Sequence, residues 1–203
     1  MRVRFILCIV LLLFATGTAS ALNYLPLGAG TVSNFRGVSD PSASLALTVQ
    51  ENNGAFAIVS LLETGGNDFA TWFQISQDPD GQTYLLAQSF DGGGSWSYAA
   101  DPIVWIDTPL EVGKTWSQET MLGGNTYTIE TEVTAHETVT VPAGEFTAYC
   151  LVHSAVLAGI YPYTYIGWYA ENIGLVSLDW TGAFLGDVYQ LTHGVIVGTE
   201  SCT

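Results

Sequence analysis

Three tyrosines at alternate positions are the residues whose type and spacing most suggest a binding function. Tyr161, Tyr163 and Tyr165 stand in the segment YPYTYIGWY at 161–169. Alternate residues of a β-strand project from the same face, so the three rings would form one row. Such a row can stack on a sugar ring, line a groove for an apolar ligand, or pack against neighbouring strands. Packing is the commonest role of such rings and is the favoured interpretation.

Residues that could support catalysis are scattered. His136, His153 and His193 are far apart and lack the spacing of a metal site. The chain has no G-x-S-x-G elbow, no H-E-x-x-H and no phosphate loop. The segment DPDG at 78–81 resembles the first part of a Ca²⁺ loop, but the later ligands are missing and Pro-Asp-Gly is itself a turn signal. The sequence therefore predicts no catalytic residue, no metal site and no cofactor, and we expect a protein that is not an enzyme.

The elements that would position these side chains are β-strands joined by short turns. Asn-Gly, Asp-Gly and Gly-Gly signals follow short runs of β-branched and aromatic residues. In the segment TYTIETEV at 126–133, alternation places Tyr127, Ile129 and Val133 on one face. These patterns predict an all-β fold, with a single curved antiparallel sheet or half-barrel of about ten strands in mostly meander order.

The segment VPAGEF at 141–146 has the composition of a hairpin tip. Pro142 fixes φ for the first corner of a turn, and Gly144 can adopt the positive φ that the reversal requires. Strand-like residues flank the segment on both sides. Glu145 is then expected to be a solvated charge.

The amino terminus has the three parts of a secretory signal peptide. Arg2 and Arg4 precede an apolar run, and the tripeptide ASA that ends at Ala21 is an A-x-A cleavage pattern. The apolar run is too short for a membrane span of about 20 residues. We expect residues 1–21 to be removed and residues 22–203 to form a single secreted or periplasmic β domain.

Removal of that leader would leave a strongly acidic protein. Two basic residues, Arg36 and Lys114, would stand against 19 acidic ones. Such a surface repels phosphate backbones and anionic headgroups, so neither nucleic acid nor stable membrane insertion is expected. The partners that remain are an apolar small molecule or a glycan, and the oligomeric state is left open.

Two cysteines would remain after cleavage. Cys150 and Cys202 would then lie in an oxidising compartment, where an even count suggests one disulfide. The alternative is a buried Cys150 and a Cys202 that is free or bonded to another chain. The sequence leaves both arrangements open, because the separation of the two Cα atoms is unknown.

Two segments resemble a pattern in bacterial secreted and periplasmic proteins of unknown function. TVTVPAGEF at 138–146 is similar to their V-P-A-G-x-F hairpin, and GWYAENIGLV at 167–176 to their W-Y-A-x-x-x-G-L-V strand pair. PLEVGKTW at 109–116 resembles their P-L-x-x-G-x-x-W segment, and YLPL at 24–27 resembles their start after the signal. Some of these proteins are grouped with TapB-like, lipoprotein-type families. The resemblance implies a curved antiparallel half-barrel, as in lipoprotein carriers, and supplies no catalytic residues.

Three functions follow from these observations. The first is a non-enzymatic secreted β domain that binds an apolar or lipid-like ligand on its concave face, with Tyr161, Tyr163 and Tyr165 as candidate contacts. The second is a surface or matrix protein that binds glycans or proteins through exposed aromatic residues. The third is a hydrolase with dispersed carboxylates, although no pair stands out among the 19 acidic residues. Whether the tyrosine row faces an enclosed groove or open solvent separates the first two.

Overall fold

The computed structural model describes residues 23–66, 68–182 and 186–197. The predicted signal peptide therefore lies outside the described residues. The described residues form twelve strands and no helix, and so include no helix able to cross a membrane. The strands are β1 (Val32–Gly37), β2 (Ser44–Asn52), β3 (Ala57–Thr64), β4 (Ala70–Gln77), β5 (Thr83–Ser89), β6 (Ser97–Ile106), β7 (Thr115–Leu122), β8 (Asn125–Val141), β9 (Gly144–Leu157), β10 (Tyr161–Ala170), β11 (Gly174–Asp179) and β12 (Val188–Val195).

The strands form one antiparallel meander that closes on itself. Each strand pairs with the next along the chain, and β1 pairs with β12 from Val32↔Val195 to Gly37↔Tyr189. The all-β, antiparallel and meander predictions are confirmed. The half-barrel of about ten strands is wrong, because the first and last strands pair and the sheet is a closed barrel of twelve. Closure satisfies backbone groups that an open sheet would leave exposed at its edges.

Side chains hold the barrel together where backbone pairing is sparse, between β6 and β7. Ala99↔Leu122 is the one registered pair among the described residues of this seam. The Gln118 amide donates to the Pro102 carbonyl at 2.9 Å and accepts from the Val104 amide at 3.1 Å. Pro102 has no amide hydrogen for the ladder, so a side chain takes the place of a backbone partner here.

The predicted reversal at VPAGEF is a hairpin tip, as expected. Strand β8 ends at Val141 and β9 begins at Gly144, which has φ of +138°. Glu145 is exposed, in agreement with a solvated charge. The alternation predicted for residues 126–133 is also confirmed, because Tyr127, Ile129 and Val133 are buried.

Residues 23–31, which precede β1 and are called the amino-terminal segment below, close one end of the barrel. This closed end lies where β2, β4 and β10 finish. The Asn172 amide donates to the Asn23 carbonyl at 2.6 Å, and the Gln77 side chain donates to Asn23 Oδ1 at 3.3 Å. The Asn52 side chain donates to the Leu27 carbonyl at 2.9 Å. The segment is therefore tied to the ends of three strands, and its Leu25 is buried in the barrel core.

Candidate ligand-binding cavity

The barrel contains a cavity of about 310 Å³. That volume is at the lower end of the ~300–1,000 Å³ usual for small-molecule sites. Leu25, Val59, Ile75, Leu85 and Ile103 line its inner part, and all five are buried. The four of these side chains that lie on strands alternate with outward-facing residues, which places them inside the barrel, and Leu25 reaches the core from the segment before β1. The result is a pocket whose inner end is lined largely by aliphatic side chains.

Three aromatic residues mark where the cavity reaches the surface. Phe90 both lines the cavity and is 64% exposed, and it follows the last residue of β5. The ring of Phe69 lies 6.3 Å from that of Phe90 and 6.1 Å from that of Trp180, between centroids. We call Phe69, Phe90 and Trp180 the aromatic rim. It lies at the open end of the barrel, opposite the amino-terminal segment.

The three tyrosines singled out in the sequence take two different positions. Tyr163 and Tyr165 line the cavity, with ring centroids 6.5 Å apart and planes 17° apart. Tyr161 is 62% exposed and lies at the start of β10, outside the cavity lining. The strand face is shared as predicted, but the strand extends beyond the cavity mouth. Two of the three candidate rings are therefore placed where they could contact an enclosed ligand.

Tyr163 is held in place by Tyr127. Their hydroxyl oxygens lie 2.9 Å apart. Burial raises the pKa of both phenols, so both remain neutral and can act as donors. Desolvation of an ionised phenol would be costly in these surroundings. The pair thus presents hydrogen-bonding capacity to the cavity without charge.

Trp105, Trp180 and Phe73 also line the cavity, and the sequence did not predict them as site residues. The ring of Phe73 lies 5.4 Å from Trp105, and that of Tyr165 lies 5.8 Å from Trp180. The buried indole N–H of Trp180 has no hydrogen-bond partner. Tryptophans spread through distant strands look like ordinary core residues in a sequence, because only barrel closure brings them to one wall.

His153 lies behind this aromatic wall. It is fully buried on β9, and its ring stacks on that of Tyr165 at 4.5 Å with planes 19° apart. Its Nδ1 lies 3.0 Å from the Thr131 hydroxyl, and its Nε2 is buried without a partner. Burial lowers the pKa of His153 to about 3, so the ring is neutral at physiological pH. The neutral imidazole ring therefore packs against one face of the Tyr165 ring and holds it in position.

The other candidate chemistry does not converge on the cavity. His136 is exposed and stacks on Tyr149 at 4.1 Å, and His193 is exposed on β12. The described residues contain no group of three or more His, Cys, Asp or Glu able to hold a metal ion. In the DPDG segment, Asp78 Oδ1 accepts hydrogen bonds from the amides of Asp80 and Gln82, at 3.0 and 2.9 Å. That geometry confirms the turn interpretation of this segment.

Cys150 is buried on β9, and burial raises the pKa of its thiol. It forms no disulfide with any described residue. Cys202 lies outside the described residues. The pairing of the two therefore stays a prediction.

Comparisons with known proteins add little to this geometry. No family model matches the chain, and no curated protein matches it. The family resemblance seen in the sequence therefore stays a prediction. One similar solved structure is a protein of Bacteroides fragilis that is thought to be exported and has a YmcC-like fold; it is 15% identical, covers 86% of this chain and 100% of its own, and has a TM-score of 0.48.

A second similar structure is a protein of Parabacteroides distasonis that is thought to be a lipoprotein. It is 14% identical, covers 86% of this chain and 99% of its own, and has a TM-score of 0.40. Both similarities are too remote to indicate what this chain binds or does.

Proposed function

We propose that this chain is a non-enzymatic, extracytoplasmic binding protein whose barrel holds an apolar or lipid-like ligand. The observation that carries the proposal is that Tyr163 and Tyr165 line a cavity with an aliphatic inner end and an aromatic rim. Burial of apolar ligand surface in such a pocket is the driving force for binding. The ligand would enter at the open end, past Phe90.

The alternative, a surface protein that binds glycans or proteins through exposed aromatic residues, has less support. Of the tyrosine row, Tyr161 alone is exposed, whereas Tyr163 and Tyr165 are partly buried around the cavity. Stacking on a glycan at the protein surface requires ring faces that are in contact with solvent. The arrangement of this row favours an enclosed ligand.

An extracytoplasmic location is the second part of the proposal and rests on the leader pattern alone. Arg2 and Arg4, the apolar run and the ASA tripeptide support export with cleavage near Ala21. Amino-terminal sequencing of the exported protein should begin at or near Leu22. Exported protein that retains Met1, or that carries a lipid on Cys8, would contradict this part.

The ligand proposal is tested by titration with Nile red, an uncharged apolar dye, at low and high salt. Binding should be similar at both, because burial of apolar area is not screened as ion pairing is. Tyr163→Ala should change the dye's affinity and emission, since that ring lines the cavity. Tyr161→Ala is the matched control, on the same strand but outside the cavity, and should leave both unchanged.

Two results would count against the proposal. One is the absence of dye binding, and the other is equal binding by wild type and Tyr163→Ala. Native mass spectrometry of the protein purified from its own compartment adds an independent measurement. A retained small molecule, released when the protein unfolds, would identify the natural ligand.

A further inference from the structure

Apart from the tyrosines and tryptophans, the polar side chains that line the cavity lie at its mouth, and all four are uncharged. Thr71 is the second residue of β4, Gln88 the penultimate residue of β5, Ser97 the first residue of β6 and Asn125 the first residue of β8. All four strand ends belong to the open end of the barrel. The Gln88 amide donates to the Thr71 hydroxyl at 3.3 Å, which orients one pair of them. The cavity is therefore amphipathic along its axis.

No described residue that lines the cavity is Asp, Glu, His, Lys or Arg. Of the basic residues, Lys114 lies near the closed end, 3.1 Å from Asp107. Arg36 is exposed on β1, which contributes no residue to the lining, and its Nε donates to the Pro41 carbonyl at 3.0 Å. An anionic group at the mouth would find no cation to pair with in the described wall.

Carboxylates instead flank the aromatic rim. Asp68 precedes Phe69, Asp91 follows Phe90, and Asp179 precedes Trp180 in the chain. Asp91 accepts hydrogen bonds from the Ser89 hydroxyl at 2.7 Å and the Ser95 amide at 2.8 Å. These hydrogen bonds lower the pKa of Asp91 to about 2, so it remains ionised at neutral pH. The charged residues next to the rim residues in the chain are thus acidic, whereas the polar groups that line the mouth are neutral.

From this geometry we infer that the ligand is a single-chain amphiphile whose polar end is an uncharged hydrogen-bonding group, such as an alcohol or ester, and not a carboxylate. The alkyl chain would occupy the aliphatic inner end, and the head would exchange hydrogen bonds with Gln88, Ser97 and Asn125. A carboxylate in the same place would lose solvation without gaining a cation. This inference rests on the proposed function and names its ligand class.

The test compares decanol with decanoate at about pH 8, where a carboxylic acid is fully ionised. Binding is followed by intrinsic fluorescence, because Trp105 and Trp180 line the cavity. Decanol should bind roughly tenfold or more tightly than decanoate. Gln88→Lys places a cation at the mouth and should reduce that preference by roughly tenfold. Thr126→Lys adds the same charge to an exposed residue of β8 outside the lining and should leave the preference unchanged.

The outcomes separate the inference from the function on which it rests. If neither compound binds, the proposed function and the inference both fail. If decanoate binds as tightly as decanol, the cavity binds amphiphiles but the inference about the head group is wrong. If decanol is preferred but Gln88→Lys leaves the preference unchanged, the preference comes from the different solubilities of the two compounds. The inference about the head group is then also wrong. A decanol preference that Gln88→Lys removes and Thr126→Lys retains supports it.

Discussion

The hydroxyl oxygens of Tyr127 and Tyr163 lie 2.9 Å apart inside the barrel, although β9 separates the strands that carry them. Both residues line the cavity. The contact therefore connects β8 and β10 by a route that the backbone ladder does not provide. It also fixes the orientation of a ring that we propose contacts ligand.

Removing either hydroxyl should destabilise the barrel. Tyr127→Phe and Tyr163→Phe should each lower the free energy of unfolding by about 1 kcal/mol, because each removes the 2.9 Å hydrogen bond between the two hydroxyls. The double variant should cost clearly less than the sum of the two, which urea denaturation of all four proteins measures. Tyr98→Phe, at a residue that is 59% exposed, is the control and should have no effect. Strictly additive losses would mean that the two hydroxyls do not interact.

Filling the cavity should weaken ligand binding without unfolding the protein. Val59 is buried in the cavity lining, so Val59→Phe directs a ring into free volume. Overpacking usually costs about 1–3 kcal/mol, but here the existing space should absorb the added atoms. We expect an unchanged thermal midpoint and a Nile red affinity lowered at least about tenfold. Val38→Phe makes the same substitution at a residue that is 52% exposed, and should bind the dye like wild type. Full dye binding by Val59→Phe would place the ligand elsewhere.

The buried histidine should make stability depend on pH. Burial lowers the pKa of His153 from 6.5 to about 3, so between these values the unfolded chain binds a proton that the folded chain does not. Stability is then highest above pH 6.5 and falls as the pH decreases towards 3, by about 1.4 kcal/mol per pH unit from this group. Hydrogen bonds lower the pKa of Asp91 from 3.8 to about 2. The contribution of Asp91 to stability is therefore lost only as the pH falls from about 3.8 to about 2, below the range that is measured for His153.

The measurement is urea denaturation at several pH values between about 7 and 5, above the range in which carboxylates titrate. His153→Gln should show a shallower loss of stability over this range than wild type, whatever its stability at neutral pH. His193→Gln, at an exposed position, should keep the wild-type slope. Equal slopes for wild type and His153→Gln would show that His153 titrates normally in the folded protein.

The hairpin between β8 and β9 should require glycine at position 144 because of its backbone conformation, and not because space for a side chain is lacking. Gly144 has φ of +138°, and a Cβ added there would meet only the Phe146 ring, at 4.0 Å. Gly144→Val should therefore cost on the order of 1–2 kcal/mol through backbone strain. Glu145→Val, at the neighbouring exposed position, is the matched control. A wild-type denaturation midpoint for Gly144→Val would contradict this assignment.

Local patterns in the sequence were sufficient for the all-β class, the buried face of some strands and several turns. Alternation in TYTIETEV located the buried face of β8, and VPAGEF located a hairpin with a positive φ at Gly144. These features depend on a few neighbouring residues, whose backbone preferences and side-chain period act within one strand or turn. For the same reason, the sequence could predict that Tyr163 and Tyr165 share one face of their strand.

The closed barrel and its cavity were decided by tertiary structure. Closure depends on pairing of β1 with β12, as in Phe35↔Leu191, and no local period encodes a contact between residues so far apart in the chain. The same closure brings Trp105 and Trp180 to one cavity, and leaves Tyr161 outside it while Tyr163 lines it. A period of two assigns a ring to a face of the sheet. How far along the strand the enclosed volume extends is set by the twelve strands together and by the segment that closes one end.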